Sequence, residues 1–249
     1  MTLLEICLDD IEGAATAESH GAGRIELCAN LSEGGTTPSI GTVKAVLGSV
    51  STIGVQVLIR QRPGDFVFSP AEVTAMCADI EAIRALEKPA SVTVGFVIGA
   101  LDTDNTIDVE ATRRMLGACG DAPVTFHKAF DHTPDLDVSF ETLVSLGIPR
   151  VLTSGGPGTA LDGAENLAAL VARSAGRVII LAAGGIRAHN VARILAVTGV
   201  PEVHLRAGEP VQRRGSGQPT AYETANRAAT SAAVIDDVLA QLGRTLSDD

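Results

Sequence analysis

A short apolar, β-branched segment is followed by a stretch with helical periodicity eight times along the 249 residues of this chain. This alternation predicts parallel βα units, because a parallel strand needs a crossover, usually a helix, before the next strand. Eight units predict one TIM barrel, a (β/α)₈ fold, as a single domain over residues 1–249. The predicted strands are residues 3–8, 24–28, 53–60, 92–99, 124–127, 150–154, 178–183 and 202–206. The predicted helices are residues 11–20, 40–47, 70–86, 109–119, 136–146, 163–175, 188–198 and, closing the ring, 222–242.

An open, doubly wound sheet is the main alternative fold. That fold favours a glycine-rich GxGxxG turn after its first strand, whereas this chain has Asp9-Asp10-Ile11-Glu12-Gly13 there. Paired glycines instead follow the predicted strands two, six and seven, as Gly34-Gly35, Gly155-Gly156 and Gly184-Gly185. Loops after the strands form the functional rim of a barrel, so this placement favours the barrel.

The amino-acid composition limits the kinds of molecule that this protein is expected to bind. The net charge of −11, the absence of Trp and the single Tyr argue against a nucleic-acid surface built from basic and stacking side chains. Apolar runs such as residues 178–183 are far shorter than a membrane span, and no signal peptide precedes the first strand. We therefore expect a cytoplasmic protein whose partner is an ion or a small ligand, without nucleic acid or membrane.

The first two strands carry the same inward-facing pair. Side chains alternate along a strand, so Glu5 and Cys7 on the first and Glu26 and Cys28 on the second are predicted to face the lumen. If the register aligns them, the two pairs lie about 4.8 Å apart.

Later strands add more inward ionisable groups. The same alternation turns six further polar side chains inward: Arg60, Thr125, His127, Glu202, His204 and Arg206. Barrel interiors are usually apolar, and buried ionisable groups are costly unless paired, so such a cluster indicates either a functional site or a structural ion-pair network. In the structural interpretation, Arg60 and Arg62 neutralise the two glutamates.

Several sequence blocks together resemble the CutC copper homeostasis family. Six blocks match the family in order: LEIC at 4–7 with RIELC at 24–28, GGTTPS at 34–39, IRQRPGDF at 59–66, TFHKAFD at 125–131, LTSGG at 152–156 and AGGI at 183–186. The chain departs from the family pattern at Gln61, Lys128 and Arg206. The resemblance implies a (β/α)₈ barrel, a cytoplasmic protein associated with copper tolerance, and a possible homo-oligomer.

The resemblance also implies that copper(I) is bound by Cys7 and Cys28. Thiolates are the soft ligands that select copper(I), although cysteines are equally common as small buried core residues. The alternative function is a barrel enzyme of lyase or isomerase type that acts on a small anionic metabolite, with or without a phosphate group. Its catalytic residues would be Glu5, Glu26, Arg60 and His127, and its anion-binding residues Arg62, Gly155, Gly156, Gly184, Gly185 and Arg206.

Overall fold

The protein is described by a computed structural model that covers residues 2–156, 158–212 and 228–243. Eight parallel strands form a closed barrel in sequence order, and the eighth strand pairs back onto the first. The predicted (β/α)₈ fold is confirmed. The barrel strands are β1 Leu3–Leu8, β2 Arg24–Leu27, β3 Gly54–Leu58, β4 Val94–Ile98, β5 Val124–Phe126, β6 Arg150–Thr153, β7 Ile179–Ala182 and β8 Glu202–Arg206.

Helices follow the strands on the outside of the barrel. They are α1 Ile11–Ser19, α2 Ile40–Leu47, α3 Pro70–Arg84, α4 Val109–Cys119, α5 Leu136–Ser145, α6 Ala164–Ser174, α7 Ala188–Thr198 and α8 Ala232–Gln241. Local chemistry fixes where several of them begin. Ser69 and Glu72 form a reciprocal capping box before α3, and the Asp108 carboxylate accepts a hydrogen bond from the Ala111 amide at the start of α4. Both limits of every barrel strand and of helices α1–α7 lie within two residues of the predicted limits.

The C-terminal segment differs from the predicted helix over 222–242. Residues 222–227 of that prediction lie outside the described residues, and Ala228–Thr230 form a strand, β10. This strand pairs antiparallel with β9, Gly208–Pro210, which follows β8. The Thr230 hydroxyl donates to the Asp10 carboxylate over 2.7 Å, and Ser231 then caps α8. Residues 228–230 form a strand because β9 offers its edge for hydrogen bonding. This is a tertiary interaction, which helix propensity along the sequence does not predict.

Apolar side chains fill the layer between barrel and helices. The largest fully buried ones include Phe96, Phe126 and Phe140, together with Leu4 and Ile6 of β1. A smaller apolar group inside the lumen joins the two cysteines to Leu58 and Val97. Within the described ranges, none of the helices has the length and apolarity needed to cross a bilayer.

Barrel closure sets which inward residues meet. The register pairs Cys7 of β1 with Glu26 of β2, and Glu5 with Arg24, so the two Glu-x-Cys segments are offset by two residues rather than aligned. On its other edge, β1 places Glu5 opposite His204 of β8. The offset reflects the stagger that a closed barrel requires between its strands.

Candidate metal and ligand site in the barrel mouth

Two cysteine sulfurs face each other in the barrel lumen. Cys7 lies near the end of β1 and Cys28 directly follows β2, and their Sγ atoms are 3.9 Å apart. Both are buried and neither forms a disulfide. The offset register brings them together diagonally, because Cys7 is directly opposite Glu26. The two sulfurs therefore converge in the lumen as expected, although the condition of an aligned register is not met.

Glu26 and His204 complete a group of donor atoms around Cys7. Ligand atoms of Cys7, Glu26 and His204 all lie within 4.8 Å of one another. The Glu26 carboxylate is 3.6 Å from the Cys28 sulfur and 3.7 Å from His204 Nε2. We call the four residues Cys7, Glu26, Cys28 and His204 the mouth cluster. Its two thiols, imidazole and carboxyl are all groups that bind transition metals.

Glu5 orients His204 toward the rest of the mouth cluster. His204 Nδ1 is 2.7 Å from a Glu5 carboxylate oxygen. Because an ionised carboxylate only accepts hydrogen bonds, the Nδ1–H donates to Glu5 and Nε2 is turned toward Glu26 and Cys7. A carboxylate that holds the second ring nitrogen is the usual support of a metal-binding histidine.

A buried chain of charges fixes Glu5 in turn. Arg24 Nε donates to Glu5, and another nitrogen of the same guanidinium donates to Glu202 over 2.5 Å. Glu202 also accepts from Arg150 over 2.8 Å. The structural interpretation that paired Glu5 and Glu26 with Arg60 and Arg62 is therefore wrong. The barrel register places Arg24 opposite Glu5, whereas Arg60 and Arg62 lie beyond the end of β3.

The protonation states in this region follow from burial and close neighbours. Burial opposes ionisation of Glu5, but the His204 hydrogen bond and the Arg24 charge lower the pKa of Glu5 to about 2. The hydrogen bond from the Cys28 thiol lowers the pKa of Cys7 to about 5, whereas burial raises the pKa of Cys28 well above its usual range. The surroundings of the sulfur pair therefore favour a thiolate at Cys7 and a thiol at Cys28.

The other two members of the mouth cluster also have shifted pKa values. Burial and the negative charge of Cys7 raise the pKa of Glu26. Burial alone would lower the pKa of His204, but hydrogen bonds with Cys7 and Glu5 raise it well above the usual value. The protonated forms of Glu26 and His204 are thus both favoured beside the Cys7 sulfur. Such groups can exchange protons with one another or release them when a metal binds.

Arg60 and His127 both lie against one phenylalanine, Phe66. The Arg60 guanidinium donates to the backbone carbonyls of Gly35 and Gly64 over 3.0 and 2.6 Å. Its Cζ is 4.7 Å from the centroid of the Phe66 ring, and the His127 ring centroid is 4.9 Å from that of Phe66. Burial, and then the charge of Arg60, lower the pKa of His127 to about 3, so its ring is neutral.

The loop after β6 already binds an internal carboxylate. Asp131 accepts hydrogen bonds from the backbone amides of Ser154 and Gly156 over 2.9 and 3.1 Å, and from the Ser154 hydroxyl over 2.8 Å. Thr153 also donates to Asp131, and the Gly155 amide donates to the Thr153 hydroxyl over 2.9 Å. The amide groups of Gly155 and Gly156 therefore already have partners within the protein, and an anion-binding role for these two glycines stays a prediction.

The other predicted anion-binding residues differ in how far protein contacts already occupy their hydrogen-bonding groups. Arg62 bonds to Glu72 over 2.6 Å and to Asp65 over 3.1 Å, so its charge is already matched outside the lumen. Arg206 has a longer contact of 3.5 Å with Asp9. The glycine pair after β7 keeps left-handed backbone angles, with φ of 102° at Gly184 and 69° at Gly185. An anion-binding role for Gly184, Gly185 and Arg206 stays a prediction.

Three residues of this region are not identified as site residues by the sequence pattern. Alternation along β8 predicts only that His204 faces inward, and the sequence predicts no role for Arg24 or Asp131. The inward periodicity of β8 was a usable signal for His204. For Arg24 and Asp131 the decisive partners are 19 and 22 residues distant, on other strands, so local periodicity carries no signal.

Comparison with known proteins identifies the family of this barrel. The model of the CutC family matches residues 2–209. The chain belongs to the CutC family. A Homo sapiens CutC relative, named a copper homeostasis protein cutC homolog, is 44% identical over 205 residues, which cover 82% of this chain and 73% of that protein. A CutC family protein of Mesorhizobium japonicum is 42% identical over 207 residues, covering 83% and 78%.

Solved structures agree with the CutC assignment. A CutC protein from Streptococcus agalactiae superposes with a TM-score of 0.76 at 35% identity, covering 82% of this chain and 98% of that one. The N-(5'-phosphoribosyl)anthranilate isomerase of Pyrococcus furiosus has a TM-score of 0.59 at 13% identity, covering 98% and 100%. The isomerase shares the barrel fold, and at this identity nothing more is inferred from it.

Proposed function

We propose that this CutC chain binds copper(I) between the sulfurs of Cys7 and Cys28, as part of copper homeostasis in the cytoplasm. The observation that carries the proposal is the pair of buried, unoxidised sulfurs 3.9 Å apart. The name of the human relative, a copper homeostasis protein, agrees with it. A reducing cytoplasm would keep both cysteines as thiols.

The spacing of the two sulfurs fits a shared metal ion. Metal–thiolate bonds of about 2.3 Å, the length found for zinc, can join sulfurs up to about 4.6 Å apart. The observed 3.9 Å is below this limit, so an ion could contact both sulfurs without a shift of β1 or β2. Soft thiolates favour copper(I) over harder ions. Cys7 supplies a thiolate at neutral pH, and Cys28 would release its proton on binding.

His204 is the third donor in this proposal. A sulfur separation below 4.6 Å corresponds to a bent arrangement, which leaves room for another ligand beside the ion. Glu5 holds Nδ1 of His204 at 2.7 Å, which leaves Nε2 as the nitrogen that faces the mouth cluster. Glu5 is then a positioning residue, and loss of such a support typically weakens metal affinity about 10–100-fold.

An anaerobic copper(I) titration against a competing chelator tests the proposal. The wild type is expected to bind one copper(I), and Cys7→Ser and Cys28→Ser are each expected to lose this binding. Cys77→Ser and Cys119→Ser are matched controls, because both cysteines are free thiols outside the lumen, on α3 and α4. Binding that is equal in wild type and in the Cys7→Ser, Cys28→Ser double variant would exclude the proposed site.

A second candidate function is acid/base catalysis on a small anionic metabolite. It is favoured by the raised pKa of Glu26, which suits a proton donor. It is also favoured by the charge of Arg60, because among the described residues its guanidinium donates only to backbone carbonyls. Glu5 would position His204 rather than react, since Arg24 and His204 already engage both its oxygens. Deuterium exchange into 2-oxoacids and sugar phosphates tests this candidate. Exchange lost in Glu26→Gln supports catalysis, and no exchange by the wild type excludes it for these substrates.

A further inference from the structure

A second buried polar group lies where β3 and β5 end, and it shares no residue with the mouth cluster. Arg60 follows β3 and is 5% exposed, and His127 follows β5 and is 4% exposed. Both contact the ring of Phe66. We refer to Arg60, His127 and Phe66 as the Arg60–His127 site.

Each of the two polar side chains has a donor left without an acceptor. The Ala129 amide donates to His127 Nδ1 over 3.2 Å, so the proton of the neutral ring is on Nε2. Within residues 2–156, 158–212 and 228–243, neither His127 Nε2 nor Arg60 Nε has a hydrogen-bond partner. A buried donor without an acceptor costs about 1–3 kcal/mol. Two such donors beside one ring point to an oxygen-bearing ligand.

The charge of Arg60 distinguishes this site from an ordinary polar pocket. Nearby arginines are paired: Arg24 contacts two glutamates, and Arg62 contacts Glu72 and Asp65. In the part of the chain that the structure describes, no carboxylate lies within 4.0 Å of the Arg60 guanidinium, which bonds only to carbonyls. A buried cation is expensive unless an anion accompanies it. A neutral oxygen would satisfy the donors but not the charge.

A glycine creates the room in which His127 lies. Gly99 follows β4, the strand between β3 and β5, and any Cβ added there would collide with the His127 ring. The missing side chain lets this ring lie across the end of β4, on the side of Arg60. The arrangement thus depends on three strands and is not the accident of one loop.

We propose that Arg60 and His127 bind the carboxylate of a small organic acid in the barrel mouth. Charge selects the carboxylate, because the site supplies one positive charge from Arg60 and a neutral donor from His127. A phosphate dianion would leave a second negative charge unmatched in this buried site. Guanidinium and carboxylate are both planar and form paired hydrogen bonds, and Phe66 supplies an apolar wall for the rest of the acid.

The proposal is tested with the full-length protein carrying ¹⁵N-labelled histidine, titrated with sodium acetate and, separately, with sodium phosphate at constant ionic strength. Acetate is expected to shift the His127 Nε2–H resonance in a saturable way. Arg60→Gln should abolish the shift. Arg60→Lys keeps the charge without the fork and should weaken binding about tenfold. Arg62→Gln is the matched control, because Arg62 is paired outside the lumen.

Several outcomes would overturn the carboxylate site. They are an absent or non-saturating shift with acetate, a shift unchanged in both Arg60 variants, or an equal, Arg60-dependent response to phosphate. Copper(I) binding by Arg60→Gln is measured in parallel and should match the wild type. Loss of the acetate response with intact copper binding therefore concerns this site alone, and loss of copper binding in the cysteine variants leaves it untouched.

Discussion

Acid should destabilise this barrel through one histidine, His127. Its folded pKa, lowered to about 3 by burial and the charge of Arg60, is below the value of about 6.5 expected in the unfolded chain. The stability that comes from keeping the ring neutral is therefore fully present above the unfolded pKa and is lost as the pH falls toward 3. Between about pH 8 and about pH 5, protonation of the unfolded chain alone removes about 2 kcal/mol of unfolding free energy.

Urea denaturation at these two pH values, for wild type and His127→Asn, isolates the contribution. The Asn side-chain oxygen can still accept the Ala129 amide hydrogen bond, but it does not titrate. The pH-dependent loss should therefore be about 2 kcal/mol smaller in His127→Asn than in the wild type. His189→Asn, at an exposed position on α7, is the control and should keep the wild-type pH dependence. An identical pH dependence in wild type and His127→Asn would refute a neutral, buried His127.

Three further substitutions and one control substitution test the packing and the charge network by urea denaturation. Arg24→Met should cost roughly 3–5 kcal/mol, because it removes the shared partner of two buried carboxylates, and an unchanged midpoint would contradict that pairing. Gly99→Ala should lower the unfolding free energy by about 1–3 kcal/mol, because the new methyl group displaces the His127 ring. The control Gly117→Ala lies in an open position on α4 and should raise the unfolding free energy by about 0.5–1 kcal/mol. Equal effects of the two substitutions would contradict the collision at Gly99. Asp131→Asn should cost about 1–3 kcal/mol, because its new NH₂ group meets backbone donors, and a neutral effect would count against the internal-carboxylate assignment.

The barrel itself could be predicted from sequence because its signal is local. Each strand is a short apolar run and each helix has its own periodicity, so the order of elements follows without any knowledge of distant contacts. The inward orientation of Glu5, Cys7, Glu26 and Cys28 follows from alternation along a strand in the same way.

The pairing of those inward residues could not be predicted, because it depends on how the barrel closes. The stagger between β1 and β2 places Cys7 beside Glu26, and the closing contact of β8 brings His204 to Glu5 across 199 residues of sequence. Similarly, the glycines after β6 have the sequence of an anion-binding loop, yet Asp131 of the preceding βα unit occupies it. The spacing of these residues along the sequence does not predict which of them lie close together in the folded barrel.

X-ray absorption spectroscopy of the copper(I)-loaded protein tests the proposed site most directly. Wild type should show two sulfur neighbours and one nitrogen neighbour per copper, from Cys7, Cys28 and His204. His204→Gln should lose the nitrogen contribution and keep both sulfurs. A copper environment of nitrogen and oxygen without sulfur, or one unchanged in the Cys7→Ser, Cys28→Ser double variant, would contradict copper binding between the two facing sulfurs.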